Sequence, residues 1–293
     1  MLTSIIIRTY NEERHLGEVL RTISAQRTNG IDVETLVVDS GSTDNTVDIA
    51  KRYGCKILSI AKDEFSFGRS LNIGCAGAAG DILVFASGHC IPATSQWLEE
   101  LIKPLAHNSV HYVYGRQIGN GDSKFSECQL FKKYFPELSA IPQEGFFCNN
   151  ANAALPKDKW KSFRFDEDLT GLEDMDLAKR MVAAGLRVGY VATAPVYHLH
   201  NETWHKVKAR YEREAIALQK IMPEVHLTFG DFTRYFTSAV LLDMATALQE
   251  KKLHKVFWET LLFRLMQYWG AYKGNHMHRQ LSKKLKERYY YPK

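Results

Sequence analysis

Three short polar clusters each follow an apolar run: Thr9-Tyr10-Asn11-Glu12, Asp39-Ser40-Gly41-Ser42-Thr43-Asp44 and Ser87-Gly88-His89. Hydroxyls, carboxylates and an imidazole at such points can hydrogen-bond a polar ligand or move a proton. Further along, Glu173-Asp174 opens a helical pattern, where acids complement the helix dipole. Asn149, Asn150 and Asn152 stand beside Phe146 and Phe147. Such amides either form ladders within a strand or face a ligand. His198 and His200 end the last strand-like stretch. Neither a GxGxxG nor a P-loop lysine accompanies the clusters. Gly74, Gly77 and Gly80 therefore read as permitting close helix–sheet packing.

The elements behind these residues alternate. Residues 4–7, 35–38, 56–60 and 82–85 read as buried strands, being short and rich in β-branched side chains. Asn11 reads as the cap of a helix with Leu16, Val19, Leu20 and Ile23 on one face. A second helix follows the turn at 40–43, a small-residue helix spans about 70–79, and a fourth carries Trp97, Leu98, Leu101, Ile102 and Leu105. This order implies a parallel sheet with helices on both faces, and ligands at the carboxyl ends of its strands. Residues 111–117 and 146–155 read as further strands, separated by a loop-rich aromatic stretch. Residues 174–184 read as a helix ended by Gly185, residues 187–192 as a strand, and Trp160 as core. From Glu202 the pattern is helical: one helix stopped near Pro223, one over 231–250, and one over 253–272 with Leu262, Leu265, Met266, Trp269 and Tyr272 on one face. The fold class is α/β, a mixed and mainly parallel sheet followed by a C-terminal helical region, with the boundary at 201/202.

Composition narrows the setting. The chain has 293 residues, 45% hydrophobic and 24% charged, enough for a sizeable core without disulfides. Five cysteines with no CxxC pair suggest neither a disulfide framework nor a zinc ribbon and fit a reducing cytoplasm. The start lacks the pattern of a signal peptide, and no apolar run reaches the roughly 18 residues of a membrane span. The net charge of +5 resides in residues 276–293, where six Lys or Arg face one acid. That basic, tyrosine-bearing tail reads either as a solvated terminus or as a peripheral membrane contact. A nucleic-acid role is not expected, because no recognition fold accompanies the tail.

The residues at 6–12 (IIRTYNE), 36–46 (LVVDSGSTDNT), 72–81 and 171–177 (GLEDMDL) resemble those of the family 2 glycosyltransferases, which have the GT-A (Rossmann-like) fold. The resemblance covers about residues 3–200. It implies a nucleotide-binding half over 1–92 and an acceptor-side half over 93–201. Thr9, Tyr10 and Glu12 would border the base and ribose, with Ser42 and Ser87 beside them. Asp39 would accept the imide N–H of uracil or thymine. Arg69 would face the diphosphate, with Asn72 near the donor. Asp174, next to Glu173, would be the base that deprotonates the acceptor hydroxyl in a single inverting displacement. Asn149, Asn150 and Asn152 would meet the acceptor. The implied partners are a UDP- or dTDP-sugar and a glycan or lipid-linked glycan, in surface polysaccharide assembly, with rhamnosyl transfer one candidate. A nucleotidyltransferase and an inactive nucleotide-sugar-binding module remain the alternatives.

One departure stands out. Family members carry Asp-x-Asp at the fourth strand end, where it holds a divalent metal, and this chain has Ser87-Gly88-His89. Mg²⁺ prefers oxygen ligands strongly and Mn²⁺ less so. His89 can ligate Mn²⁺, bond a phosphate or cap the strand, and His198 is the second candidate ligand.

Overall fold

Strands with no polar interruption need cover on both faces. In the computed structural model, which describes residues 2–106, 109–200, 202–277 and 289–291, β1 (Leu2–Thr9) fully buries Ile5, Ile6 and Ile7. Alternate side chains leave a strand on opposite faces. Ile5 and Ile7 join Val37 and Val84 against α1 (Leu16–Ser24). Ile6 and Val38 meet a helix on the other face through Gly74. The intervening elements are β2 (Asp32–Asp39), α2 (Thr46–Arg52), β3 (Lys56–Ser59), α3 (Phe67–Gly77), β4 (Ile82–Ser87), β5 (Cys90–Pro92) and α4 (Trp97–Ala106). There follow β6 (Tyr112–Ile118), α5 (Phe125–Tyr134), β7 (Asn152–Pro156), α6 (Lys157–Phe163), α7 (Glu173–Ala183) and β8 (Val188–His198). The last helices are α8 (Trp204–Ile221), α9 (Phe229–Gln249) and α10 (Leu253–Asn275).

Among the described residues the sheet has eight strands in the order β3-β2-β1-β4-β7-β6-β8-β5. β3, β2, β1 and β4 are parallel, as are β6 and β8, while β7 runs antiparallel to both β4 and β6, and β5 runs antiparallel to β8. The register pairs Thr9 with Asp39 and Arg8 with Ser87. Three strand ends are thereby level on one edge.

The expected mixed, mainly parallel sheet is what forms, with local corrections. Asn11 does not cap α1. Its φ is 54° and its Oδ1 accepts the Thr43 N–H at 2.8 Å, so it ties the first cluster to the second. The strand expected over 146–155 begins only at Asn152, because the amide-rich stretch before it makes side-chain bonds in place of ladder bonds. The loop-rich stretch contains α5, and β5 follows His89 directly.

The chain forms two compact units. One comprises Met1–Asn120, Tyr134–Asp168 and Glu173–Leu199, and the other Gly121–Lys133, Leu169–Leu172 and His200–Lys293. In the second, α10 buries positions outside the apolar line marked by its pattern. Thr260, Phe263, Arg264, Gln267, Gly270 and Gly274 are its buried positions, whereas Leu262 is exposed. A Cβ on Gly270 would meet the Lys208 carbonyl oxygen at 2.4 Å, so small residues let α10 approach the α8 backbone. Most of the basic tail lies outside the described residues. Tyr289, expected at a membrane interface, is instead buried and donates to Glu212 at 3.1 Å.

Close helix–sheet packing is measurable at Gly74, where a Cβ would sit 2.5 Å from Ile6 Cγ2. Overpacking of this kind costs about 1–3 kcal/mol and outweighs the helix-propensity gain of up to about 1 kcal/mol. Gly74→Ala should lower the urea midpoint at unchanged m-value; an unchanged or higher midpoint would show that the helix shifts freely.

Candidate active site

The Asp39 turn is built from within. Gly41, at φ 84°, lets the chain reverse after β2. Asp39 Oδ2 then accepts the backbone N–H groups of Gly41 and Ser42 at 3.0 and 2.9 Å. Its Oδ1 accepts the hydroxyls of Ser42 and Thr9 at 2.5 and 3.2 Å. These four bonds fill the roughly four acceptor sites of a carboxylate. The two backbone donors are fixed, but the two hydroxyls rotate, so a ligand N–H reaches Asp39 by displacing Thr9 or Ser42. Lys62 Nζ lies 4.7 Å from the Tyr10 ring centroid and donates to the Tyr10 hydroxyl at 3.0 Å.

At the β4 end the missing acids are partly replaced from β1. Glu12 crosses beside Gly88, where a Cβ would lie 2.9 Å from Glu12 Cγ. Glu12 Oε1 is 2.7 Å from His89 Nδ1. The His89 ring stacks on His198 at 5.2 Å, and His198 Nδ1 lies 2.6 Å from Gln117 Oε1. A carboxylate and a carbonyl oxygen only accept, so each Nδ1 donates its proton there. A ring nitrogen of each lies within 4.8 Å of the other. This carboxylate- or carbonyl-supported imidazole pair fits Mn²⁺ better than Mg²⁺. His200 Nδ1 bonds Glu127 at 2.7 Å.

Glu173 and Asp174 open α7, and both are buried. Glu173 Oε1 pairs with Arg8 Nη1 at 3.1 Å, at the end of β1. Asp174 Oδ2 accepts the Asn150 N–H and its Oδ1 the Met175 N–H, each at 2.8 Å. Burial, then the neighbouring Glu173 charge, push the Asp174 carboxyl well above the usual carboxylate range. The two backbone N–H bonds and Arg8 oppose that rise. The result is a carboxylate with raised proton affinity, the property a general base needs.

The other residues divide. Asn72 donates to the Phe165 carbonyl and Glu167 at 2.9 and 2.8 Å and accepts from Trp160 Nε1 and the Phe165 N–H at 2.9 and 3.1 Å. Its amide is thus wholly engaged in anchoring the segment after α6. Asn152 is engaged likewise, by Trp97 Nε1, the Arg116 carbonyl and the Ala194 carbonyl. Asn149 Oδ1 accepts Gln117 Nε2 and the Ala151 N–H. Asn150 Oδ1 accepts the Tyr112 hydroxyl, and its Nδ2 is buried without a partner, beside Asp174. Arg69 makes an exposed ion pair with Glu64 at 3.6 Å, a weak restraint. Ser87 sits at the β4 end, opposite Arg8.

Sequence reasoning passed over Arg8, Gln117 and Tyr112. A lone cation closing the apolar run 5–7 was the available signal for Arg8. Gln117 and Tyr112 gave none, because their partners are distant in sequence.

The model of "Glycosyl transferase family 2" matches residues 4–161. The chain belongs to that family. It is a glycosyltransferase with a GT-A fold. It is 27% identical over 290 residues to the O-antigen chain rhamnosyltransferase RfbN of Salmonella typhimurium, covering 92% of this chain and 91% of that one. It is also 27% identical over 256 residues to the O-antigen chain rhamnosyltransferase WbaN of Salmonella anatum, covering 81% of each. Among solved structures, the mannosyltransferase PcManGT of Pyrobaculum calidifontis, in complex with GDP-Man and Mn²⁺, is similar with TM-score 0.65 and 16% identity, covering 94% of this chain and 88% of that one. Glucosyl-3-phosphoglycerate synthase of Mycobacterium tuberculosis is similar with TM-score 0.57 and 22% identity, covering 75% and 79%. At such identities these structures speak for the fold alone.

Asn72→Ala would leave Trp160 Nε1–H and the Phe165 N–H without their acceptor, at about 1–3 kcal/mol for each buried group. The expected outcome is a lower melting temperature at unchanged nucleotide affinity by calorimetry. Lost affinity at unchanged stability would put Asn72 in contact with the donor.

Proposed function

We propose that this glycosyltransferase moves a sugar from a UDP- or dTDP-sugar to a glycan or lipid-linked glycan acceptor with inversion, using Asp174 as the general base, in surface polysaccharide assembly. The observation that carries the reading is the buried Glu173-Asp174 pair at the start of α7, tied through Arg8 to the strand edge that holds the Asp39 turn. The names of the two Salmonella relatives favour rhamnose as the sugar.

The acceptor hydroxyl gives its proton to Asp174 as its oxygen bonds the anomeric carbon. The bond from that carbon to the diphosphate oxygen breaks, and a nucleoside diphosphate leaves. Asp39 receives the base N–H in exchange for a hydroxyl, and Arg69, loosely held by Glu64, turns to the diphosphate. His89 and His198 would hold a divalent cation. Such a cation would offset the charge growing on the leaving group.

Asp174→Asn should lower kcat by at least about 100-fold at near-normal donor affinity, the scale of a lost general base. Near-normal turnover would remove Asp174 from the chemistry. The reactive form is the carboxylate, so the rate should rise with pH through the raised Asp174 pKa, above the ordinary carboxylate value of about 4. Glu173→Gln removes a charge that raises that pKa and should move the acid limb to lower pH. Arg8→Met removes one that lowers it and should move the limb to higher pH. Limbs that stay put would sever the pair from the rate.

Chelation with EDTA should slow transfer, with Mn²⁺ restoring it more fully than Mg²⁺, and His198→Ala should weaken Mn²⁺ binding followed by electron paramagnetic resonance. Full activity in EDTA would leave the diphosphate charge to Arg69 without a cation.

A further inference from the structure

Beside apolar core residues such as Phe263 and Ile216, helices α9 and α10 turn several polar groups inward and several large apolar ones outward. Between Phe236 and Leu248, α9 has one charged residue, Asp243. It is buried against Arg264 of α10, with Nε and Nη2 at 2.7 and 2.8 Å from its two oxygens, and Arg264 Nη1 donates to Gln267 at 2.8 Å. Leu241, Leu242 and Leu248 are 63%, 69% and 65% exposed. With Ala245 they occupy positions i, i+1, i+4 and i+7, one face of the helix. On α10, Trp258 is 69% exposed and Phe257 and Leu262 are exposed too, while Thr260, Arg264, Gln267 and Gly270 face inward. A water-facing helix pair has the opposite arrangement, and an apolar face of this extent marks a surface that something covers.

The charges around it select the cover. Arg234, Lys251, Lys252, His254 and Lys255 are exposed on α9, the turn after it and the first turn of α10. Two half-buried acids of this stretch pair with two of these cations, Asp231 with Arg234 at 3.3 Å and Glu250 with Lys252 at 2.7 Å, so the surplus positive charge rests on Lys251 and Lys255. The sequence from His276 onward carries six Lys or Arg against one acid, at positions outside the described residues. A two-fold contact with a second copy would set one cationic rim against the other. An anionic lipid surface accepts both the apolar face and the cations. No helix among the described residues is long and apolar enough to cross a membrane, so the contact is with a surface.

We propose that the α9–α10 face docks on an anionic bilayer, with Leu241, Leu242, Leu248 and Trp258 entering the boundary between headgroups and acyl chains and the basic residues meeting lipid phosphates. This docking goes beyond the transfer reaction and does not depend on which residue is its base.

The test compares the full chain with a variant carrying Leu241→Gln, Leu242→Gln, Leu248→Gln and Trp258→Gln. All four side chains are exposed, so the variant should keep its circular dichroism spectrum and its donor turnover with a soluble acceptor. The unaltered chain should sediment with vesicles of phosphatidylglycerol and phosphatidylethanolamine and far less with phosphatidylcholine. The variant should bind at least about tenfold more weakly, and both should be monomers in the ultracentrifuge. Absence of binding by the unaltered chain, or equal binding by the two, overturns the proposal. So does a dimer that the four changes dissociate, because a second copy would then be the occupant.

Discussion

The single ion pair between Arg8 and Glu173 joins the two ends of the catalytic unit. Arg8 closes the first buried strand and Glu173 opens α7, and their atoms meet at 3.1 Å. Two adjacent carboxylates at a buried helix start repel each other and lose hydration, and a cation beside one of them relieves part of that cost. Burial, then the Glu173 charge, raises the proton affinity of the neighbouring Asp174, and two backbone N–H bonds and Arg8 restrain the rise. The parallel register that sets Arg8 opposite Ser87 and Thr9 opposite Asp39 brings the Asp39 turn to the strand edge that carries this ion pair.

The strand end without acids is not an empty position. Glu12 reaches over Gly88 to hold His89, His89 stacks on His198, and Gln117 holds both His198 and Asn149. The chain of contacts runs from the first loop to the acceptor-side turn. It sets imidazoles where the family pattern has carboxylates, and nitrogen donors suit Mn²⁺ better than Mg²⁺. Gly88 permits this, because any side chain there would collide with Glu12.

The helical unit depends on a different economy of contacts. Gly270 and Gly274 bring α10 against the backbone of α8, and the buried Arg264–Asp243 pair links α10 to α9. Phe263, Val207 and Ile216 are buried there together with these small and polar residues, while Leu241, Leu242, Leu248 and Trp258 are left exposed.

Much of the fold was legible in local pattern. The β-branched runs, the faces of α1 and α4, and the turn residues around Asp39 are determined by sterics and periodicity within a few residues, so the sheet's parallel half and its ligand edge follow from the sequence alone. Family membership was legible too, in the residues around Asp39 and Glu173-Asp174. Only the tertiary structure decided the rest. Asn72 and Asn152 look like ligand amides in sequence and are spent on Trp160 and Trp97, because hydrogen bonds between residues far apart leave no periodic trace. Arg8 acquires its role from a partner on a distant helix. Pattern marked one apolar line on α10, but its buried face is set by Gly270 and Gly274 packing on α8, which leaves Leu262 of that line exposed. Periodicity shows that a helix has two faces, and the packing of its neighbours determines which of them is buried.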